Sequence, residues 1–469
     1  MRLPAAARHG GGLFLAELQE QAVPDFAALH QFRPGRYPHW LESAVSGTPH
    51  ARYDVLFALP GSTLLLQDNR QVFLDGQAMD GGFLPNLERI WRAERSAVDE
   101  TPHPIPFRGG WFLYLGYELS REIEPALAQL PAEPGIPVAF ATRFDTAIVR
   151  DRIASQAWLV TEDGAGAEER LARVFEDVRD CPDPVAAPLP AIRVREEDPA
   201  LYLERVGRTL AYIAAGDAFQ VNLSRGWEVE LDAELAPADL YRRLRQSNPA
   251  PFCGLASLGP GMMVLSSSPE RLVCVRGRTV STRPIAGTYP RHEDAGHDGL
   301  RVDALRRDPK ERAEHVMLID LERNDLGRIC QPGTVRVDEC MQVESYRHVH
   351  HLVSGIRGTL QTDASPAAVI RALFPGGTIT GCPKVRTQEI IAELEQGARG
   401  PYTGSIGYLN RDGSMDLNIL IRSLVQQGRL VRLRAGGGIV ADSEPRRELH
   451  ETRAKARGML AAFGAGAVR

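Results

Sequence analysis

The stretch GSMDLNILIRSLVQQGRLVRLRAGG, residues 413–437, decides how the chain is built. Its apolar and branched residues fall into strand-length runs, bounded by tight turns at Arg411-Asp412-Gly413 and Gln427-Gly428. Turns this short join antiparallel neighbours, because parallel strands need a crossover of about a dozen residues or more. The same texture recurs outward in AFQVNLSRGWEVEL (218–231) and GMMVLSSSPERLVCVRGRTVSTRPIAGT (261–288). Helical patterns alternate with these hairpins rather than with single strands, which predicts an α+β protein of antiparallel sheets carrying helices. No GxGxxG fingerprint argues for a doubly wound dinucleotide fold.

Helix starts are placed by their caps. Asp198-Pro199 opens a helix whose apolar stripe is Tyr202, Val206, Leu210 and Ile213, ending at Gly216. Asp308-Pro309, with Glu311 as capping-box partner, opens another that runs to Gly327. Pro383 is the expected first residue of a third, reaching Gln396 before Gly397 stops it. Ser443 is the expected cap of the last, which continues to about Phe463. Two more helices are expected near 86–96 and 168–178. The glycines ahead of Pro383 leave helix N-terminal amides open to an anion, a carboxylate or a phosphate.

With 469 residues, 43% of them hydrophobic, the chain can bury a large core. A net charge of -5 without basic blocks gives no attraction to nucleic acid or to an anionic membrane. Six cysteines without a CxxC pair fit reduced thiols, and no segment reads as a signal peptide or a membrane span, so a cytoplasmic protein is expected. CPDPVAAPLP (181–190) marks a boundary. It divides an N-terminal subdomain (1–180), a proline-rich linker (181–197) and a C-terminal region (198–469) that holds most of the chemical signals.

Glu314 shares a helix face with Met317, Leu318 and Leu321, so a carboxylate is aimed where apolar side chains are buried. A metal, a basic partner or a raised pKa would each answer that burial, and an internal ion pair is as good a reading as a metal site. Glu448, Glu451 and Lys455 lie on one stripe of the last helix. Taken alone, Glu451 and Lys455 read as an exposed i, i+4 pair, the commoner meaning of that spacing, whereas Glu448 and Glu451 can also supply Mg²⁺ oxygens. Glu270 sits at a turn between strands in SSSPER, and Gln220, His351 and Arg422 lie on or beside strands.

Taken jointly, PIAGT (284–288), EHVMLIDLERNDLGR from Glu314, TITGCPKVRTQEIIAELE from Thr378, GPYTGSIGYL from Gly400 and GGGIVADSEPRRELHET from Gly436 resemble the chorismate-utilising enzyme family. WLESA (40–44) and GGWFLYLGYEL (109–119) resemble the N-terminal half of its aminating members. The resemblance implies a four-layer α/β/β/α sandwich with chorismate and Mg²⁺ between two largely antiparallel sheets. It implies Glu314, Glu448 and Glu451 as metal ligands or their neighbour, and Glu270 as the acid that assists loss of the C4 hydroxyl. It implies that Tyr402, Arg422, Lys455 and Gly436, Gly437 and Gly438 grip the substrate carboxylates, with Thr378, Gly381 and Lys384 as the opposite wall and His351 near the ring carboxylate.

Gln220 stands where water-adding members carry a lysine base, which points to ammonia as nucleophile. Ammonia in this family comes from a glutamine amidotransferase, expected here as a separate subunit. Ala286 stands where some aminating members carry a lysine that attacks ring C2. Glu42 and Ser43 are the expected polar contacts of a tryptophan-type pocket, with Trp40 in place of the usual leucine. An inactive relative that senses aromatic amino acids is the reading from another class, and the intact set of acids argues against it.

Overall fold

The computed structural model describes residues 7–9, 12–45, 51–97, 105–291, 294–345 and 349–464. The stretch 413–437 is not continuous strand. Met415–Asn418 pairs with Ser405–Asn410 and Arg271–Arg276, whereas Ser423–Gln427 pairs with Met262–Ser268 and Leu430–Ile439, all antiparallel. Between them, at Ile419 to Arg422, the chain leaves one sheet and enters the other. Its neighbour makes the same passage, from Met262–Ser268 through Pro269 and Glu270 into Arg271–Arg276. The two crossings are stitched together. Ser268 Oγ donates to the Ile419 carbonyl at 2.5 Å, the Ile419 N–H to the Glu270 carbonyl at 3.0 Å, and the Ser267 N–H to the Arg422 carbonyl at 3.1 Å.

Side-chain alternation shows the layers. On Gly110–Leu115, Trp111, Leu113 and Leu115 pack with Phe83, Leu87, Ile370 and Leu373 of helices, while Phe112 and Tyr114 turn the other way. On Tyr53–Leu66, Leu56 and Ala58 meet Phe26, Phe175 and Tyr241 of other helices, while Val55 and Phe57 turn inward. The inward set, including Phe57, Phe107, Phe112, Phe144, Val264 and Ile406, contains no helix residue and forms the sheet-on-sheet core. The protein is therefore α+β, with helices outside two largely antiparallel sheets, as the four-layer expectation has it.

Chain order and sheet order differ. His39–Glu42 pairs with Phe252–Gly259, and Gly110–Leu115 with Ser405–Asn410, so residues from both sides of the proline-rich segment build both sheets. Within the expected linker, Ile192–Glu196 is itself a strand, paired with Gln220–Leu231. Asp198 and Asp308 cap their helices as expected, their carboxylates accepting from Ala200 and from Lys310 and Glu311. Ser443 does not. The last helix is Pro445–Leu460, and Ser443 Oγ instead accepts from the Val440 N–H in the turn before it. No helix among the described residues is long and apolar enough to cross a membrane.

One ion cluster ties the elements near the crossings. Glu395 ends the helix Lys384–Glu395, and its side chain and that of Arg399 are each 1% exposed. Glu395 accepts from Arg399 at 2.7 Å, from Arg434 at 2.8 Å, and from the Ser224 N–H and hydroxyl at 2.8 and 2.9 Å. Burial alone would raise its carboxyl, but the two arginines outweigh it and hold it down at about 2. Its stabilising contribution is thus complete above the ordinary Glu range near 4.5 and is lost as pH falls through about 2. Glu395→Ala leaves Arg399 buried without its charge partner, and urea unfolding at pH 7 should show a loss of about 3–5 kcal/mol. A loss below about 1 kcal/mol would show that the cluster is not what fastens this region.

Candidate active site

The paired crossing delivers two charged side chains to one place. Glu270 is 5% exposed, accepts from Thr378 Oγ1 at 2.7 Å and is also bonded by the Ile285 backbone. Burial pushes its carboxyl up to about 7 despite those bonds and the nearby charges of Arg422 and Lys455. A carboxyl held there can both hold and release a proton near neutrality. The other crossing deposits Arg422, whose backbone is held at φ 53. Burial lowers its pKa, opposed by Tyr402, Glu451 and Glu270. Among the described residues no hydrogen bond or salt bridge engages its guanidinium, which leaves it open to an anion.

The strand Leu430–Ile439 ends in the glycines that carry the second cation. Lys455 Nζ donates to the Gly436 carbonyl at 3.1 Å and pairs with Glu451 at 2.6 Å. A Cβ at Gly437 would lie 3.5–3.7 Å from Glu451, Glu448 and Lys455, so the bare backbone passes directly against all three. A Cβ at Gly436 would meet the Tyr402 hydroxyl at 2.9 Å, and one at Gly438 would strike the Gln220 amide. Tyr402 is buried beneath the guanidinium groups of Arg399 and Arg434.

A set of carboxylates faces these cations. Burial and then Glu311 push Glu314 up to about 7, with Glu451 adding to the rise and Lys455 and Lys310 opposing it. Burial and Glu451 raise Glu448, whereas Lys455 holds Glu451 below its ordinary value. The acids therefore repel one another within a single neighbourhood. Among the described residues no group of three or more His, Cys, Asp or Glu side chains is drawn together closely enough to hold a metal ion by itself.

The remaining expected residues are distributed around this centre. His351 is buried opposite Thr288 in the strand Val349–Thr359, and burial, then Arg422, depress it to about 4, so its ring is neutral. Ala286 is buried next to Ile285, which reaches Glu270. Gln220 begins its strand with its side-chain oxygen buried and without a partner among the described residues. Gly381, at φ 129, lets the chain lie where a Cβ would be 2.1 Å from the Gln220 carbonyl.

One expectation needs correction, and two expected site residues have partners remote in sequence. The Lys384 ammonium binds Asp325 at 2.5 Å and the Leu373 carbonyl at 3.2 Å. Glu311 does not close a capping box. Its carboxylate lies against Gly287 and joins the acid set. Glu42 is committed internally, accepting from Tyr241 at 2.8 Å and Arg245 at 3.0 Å. The fully buried Trp40 ring packs on Tyr241 beside it, and the Ser43 hydroxyl is buried without a partner among the described residues.

Sequence reading also missed two acids. Glu322, pushed up to about 7 by burial and Asp325, and Asp325 continue the helical stripe of Glu311 and Glu314, a spacing visible in the sequence. Two cavities lie away from Glu270. One of about 550 Å³ sits behind Tyr402, with Arg399, Arg434 and Trp227 among its walls. The other, about 700 Å³, is walled by Glu42, Asp25, Arg152 and Arg245.

The model of the chorismate binding enzyme family matches residues 45–461. Anthranilate synthase component 1 of Streptomyces coelicolor is 44% identical over 385 residues, 78% of this chain and 75% of that one. Aminodeoxychorismate synthase component 1 of Bacillus subtilis is 35% identical over 471 residues, 98% of each chain. The crystal structure of anthranilate synthase component I from Streptococcus pneumoniae TIGR4 superposes with a TM-score of 0.74 at 31% identity, covering 88% of this chain and 93% of that one. The protein acts on chorismate through a shared architecture, and it belongs to the chorismate binding enzyme family.

Proposed function

We propose that this chain is the aminating component of an aminodeoxychorismate synthase, converting chorismate to 4-amino-4-deoxychorismate with ammonia from a separate glutamine amidotransferase. The observation that carries the reading is Glu270, a buried carboxyl poised near 7 beside two cations. Hydroxide is a poor leaving group, so a proton donor must meet the departing C4 oxygen. Arg422 and Lys455 suit the two carboxylates of chorismate, and neutral His351 adds a donor or acceptor without a charge.

Gln220 cannot remove a proton from water. Its buried side-chain oxygen, without a partner among the described residues, can accept a hydrogen bond from ammonia. Ammonia adds at C2 as the ring double bonds shift and the C4 hydroxyl leaves as water with the Glu270 proton. The proton shed by the new ammonium centre restores Glu270, and the product of this step is 2-amino-2-deoxyisochorismate. A second ammonia attacks C4 as the double bonds shift back, and the C2 amine leaves as ammonia with a proton that the new C4 ammonium centre replaces. Ala286 offers no nucleophile, so the first ammonia takes the part that a lysine would play.

Glu314, Glu448 and Glu451 supply the chemistry that Mg²⁺ takes rather than a formed cage. They are hard oxygen donors crowded beyond their cations, and Mg²⁺ commonly takes one or two carboxylates and completes its shell with water and substrate. When bound, the ion would neutralise negative charge gathering on the substrate. The choice of aminodeoxychorismate over anthranilate is supported by TGSIGY (403–408), LNILIRSL (417–424) and LYLGYEL (113–119), which resemble that branch. The end-to-end match with the Bacillus subtilis protein supports it too. PIAGT and the 44% identity to the Streptomyces coelicolor protein favour anthranilate synthase component I as the second reading.

Incubation with chorismate, Mg²⁺ and an ammonium salt, followed by chromatography with mass detection, separates the readings. The expected product is one that an added aminodeoxychorismate lyase turns into 4-aminobenzoate, and chelation of Mg²⁺ abolishes it. Fluorescent anthranilate would overturn the assignment, and an unchanged rate in chelator would remove the metal. Glu270→Gln should lower kcat by about 10²–10⁴ while moving the KM for chorismate little. Equal losses in both would count against an acid acting only on the departing hydroxyl.

A further inference from the structure

Arg399 lies just ahead of GPYTG and is 3% exposed. Every one of its five N–H donors is used. Two go to Glu395, at 3.1 and 2.7 Å. The others reach the Ile379 carbonyl at 3.1 Å, the Thr403 hydroxyl at 3.4 Å and the Asn222 carbonyl at 2.7 Å. Its guanidinium carbon stands 4.9 Å from the centre of the Tyr117 ring and 5.6 Å from that of Tyr402. From the N-terminal part of the chain, Glu118 accepts from the Arg399 N–H at 2.8 Å and the Gly400 N–H at 3.2 Å.

Three of the four accepting residues adjoin residues of the candidate site. Ile379 follows Thr378, whose hydroxyl donates to Glu270. Asn222 stands two residues beyond Gln220 on the same strand, and its side chain donates to the Thr378 carbonyl at 3.2 Å. Thr403 follows Tyr402, whose hydroxyl lies against Gly436. One planar guanidinium thus sets three segments, distant in sequence, against one another. The geometry points to Arg399 as a positioning residue that holds Thr378 against Glu270 and Tyr402 against Gly436. This inference rests on the function proposed above, because it concerns the acid of that reaction. Arg399 is saturated and buried, so it acts through these neighbours. Lysine, with three donors and no plane, cannot hold the same set.

A purely structural role and a positioning role differ in one readout. The Thr378 hydroxyl bond lowers the Glu270 pKa. An acid works only while protonated, so kcat falls as pH rises through its pKa. Loosening Thr378 removes a bond to the carboxylate, raises that pKa and moves the alkaline limb of the kcat profile to higher pH.

The test uses the full chain, assayed as chorismate consumption with ammonium and Mg²⁺. Arg399→Lys should lower kcat by about 10- to 100-fold and shift the alkaline limb upward, and Thr378→Val should reproduce the shift. Arg225→Lys is the control. Arg225 is a fully buried arginine bonded to Glu196 and the Glu197 carbonyl, and its loss should cost stability while leaving the limb in place. Where Arg399→Lys does not fold, Glu118→Ala, which removes the acceptor of the Arg399 and Gly400 backbone N–H groups, carries the same test with a smaller shift in the same direction. A folded Arg399→Lys or Glu118→Ala with the wild-type limb overturns the positioning role alone. Wild-type protein that consumes no chorismate defeats the proposed function itself.

Discussion

The double crossing of strands from one sheet to the other is the constraint on which the rest depends. Two neighbouring strands must change layers together, since either alone would strand its backbone donors and acceptors in the core. They do so at Ser268 to Arg271 and Ile419 to Arg422, where the regular ladder stops and hydrogen bonds through Ser267, Ser268 and Glu270 tie the two passages together. The break in pairing puts an acid and a cation, Glu270 and Arg422, where continuous strands would have put core side chains. Site chemistry is thus a by-product of how the two layers are joined.

Burial then sets the character of each group. Glu270 stays near neutral in pKa even with two cations nearby, because desolvation outweighs them. Glu395, equally buried, is driven the other way, because two arginines bond it directly and the Ser224 N–H and hydroxyl complete its shell. Contact, rather than proximity of charge, separates the structural acid from the reactive one. Glu314 and Glu448 rise through burial and repulsion from their neighbours, which is the state of a carboxylate set short of positive charge.

Much of this was legible in the residues. Asp198 and Asp308 announced their helices through side-chain caps, and the turns at Arg411 to Gly413 and at Gly428 announced antiparallel pairing. The layer change inside 413–427 was not legible, because Leu417, Ile419, Leu420 and Leu424 are apolar on both sides of the break. Only the left-handed backbone of Arg422 distinguishes it. Glu314 could be marked as an odd acid on an apolar face, yet Glu311 three residues earlier read as a cap, since cap and site acid share the same spacing. Lys384 and Glu42 carried the right charge at motif positions, but their partners Asp325, Tyr241 and Arg245 are remote in sequence. Arg399 lay outside the motifs altogether, and its role emerges only from the five acceptors that surround it.

The central claim is that the fold keeps Glu270 as a proton-bearing acid near neutrality. Infrared difference spectroscopy of wild-type protein against Glu270→Gln, titrated from pH 5 to 9, reads that proton directly. The account predicts a protonated carboxyl C=O band, absent from the variant, that disappears with a midpoint near 7. A Glu270 carboxyl already ionised at pH 5 would contradict it, and with it the assignment of the acid.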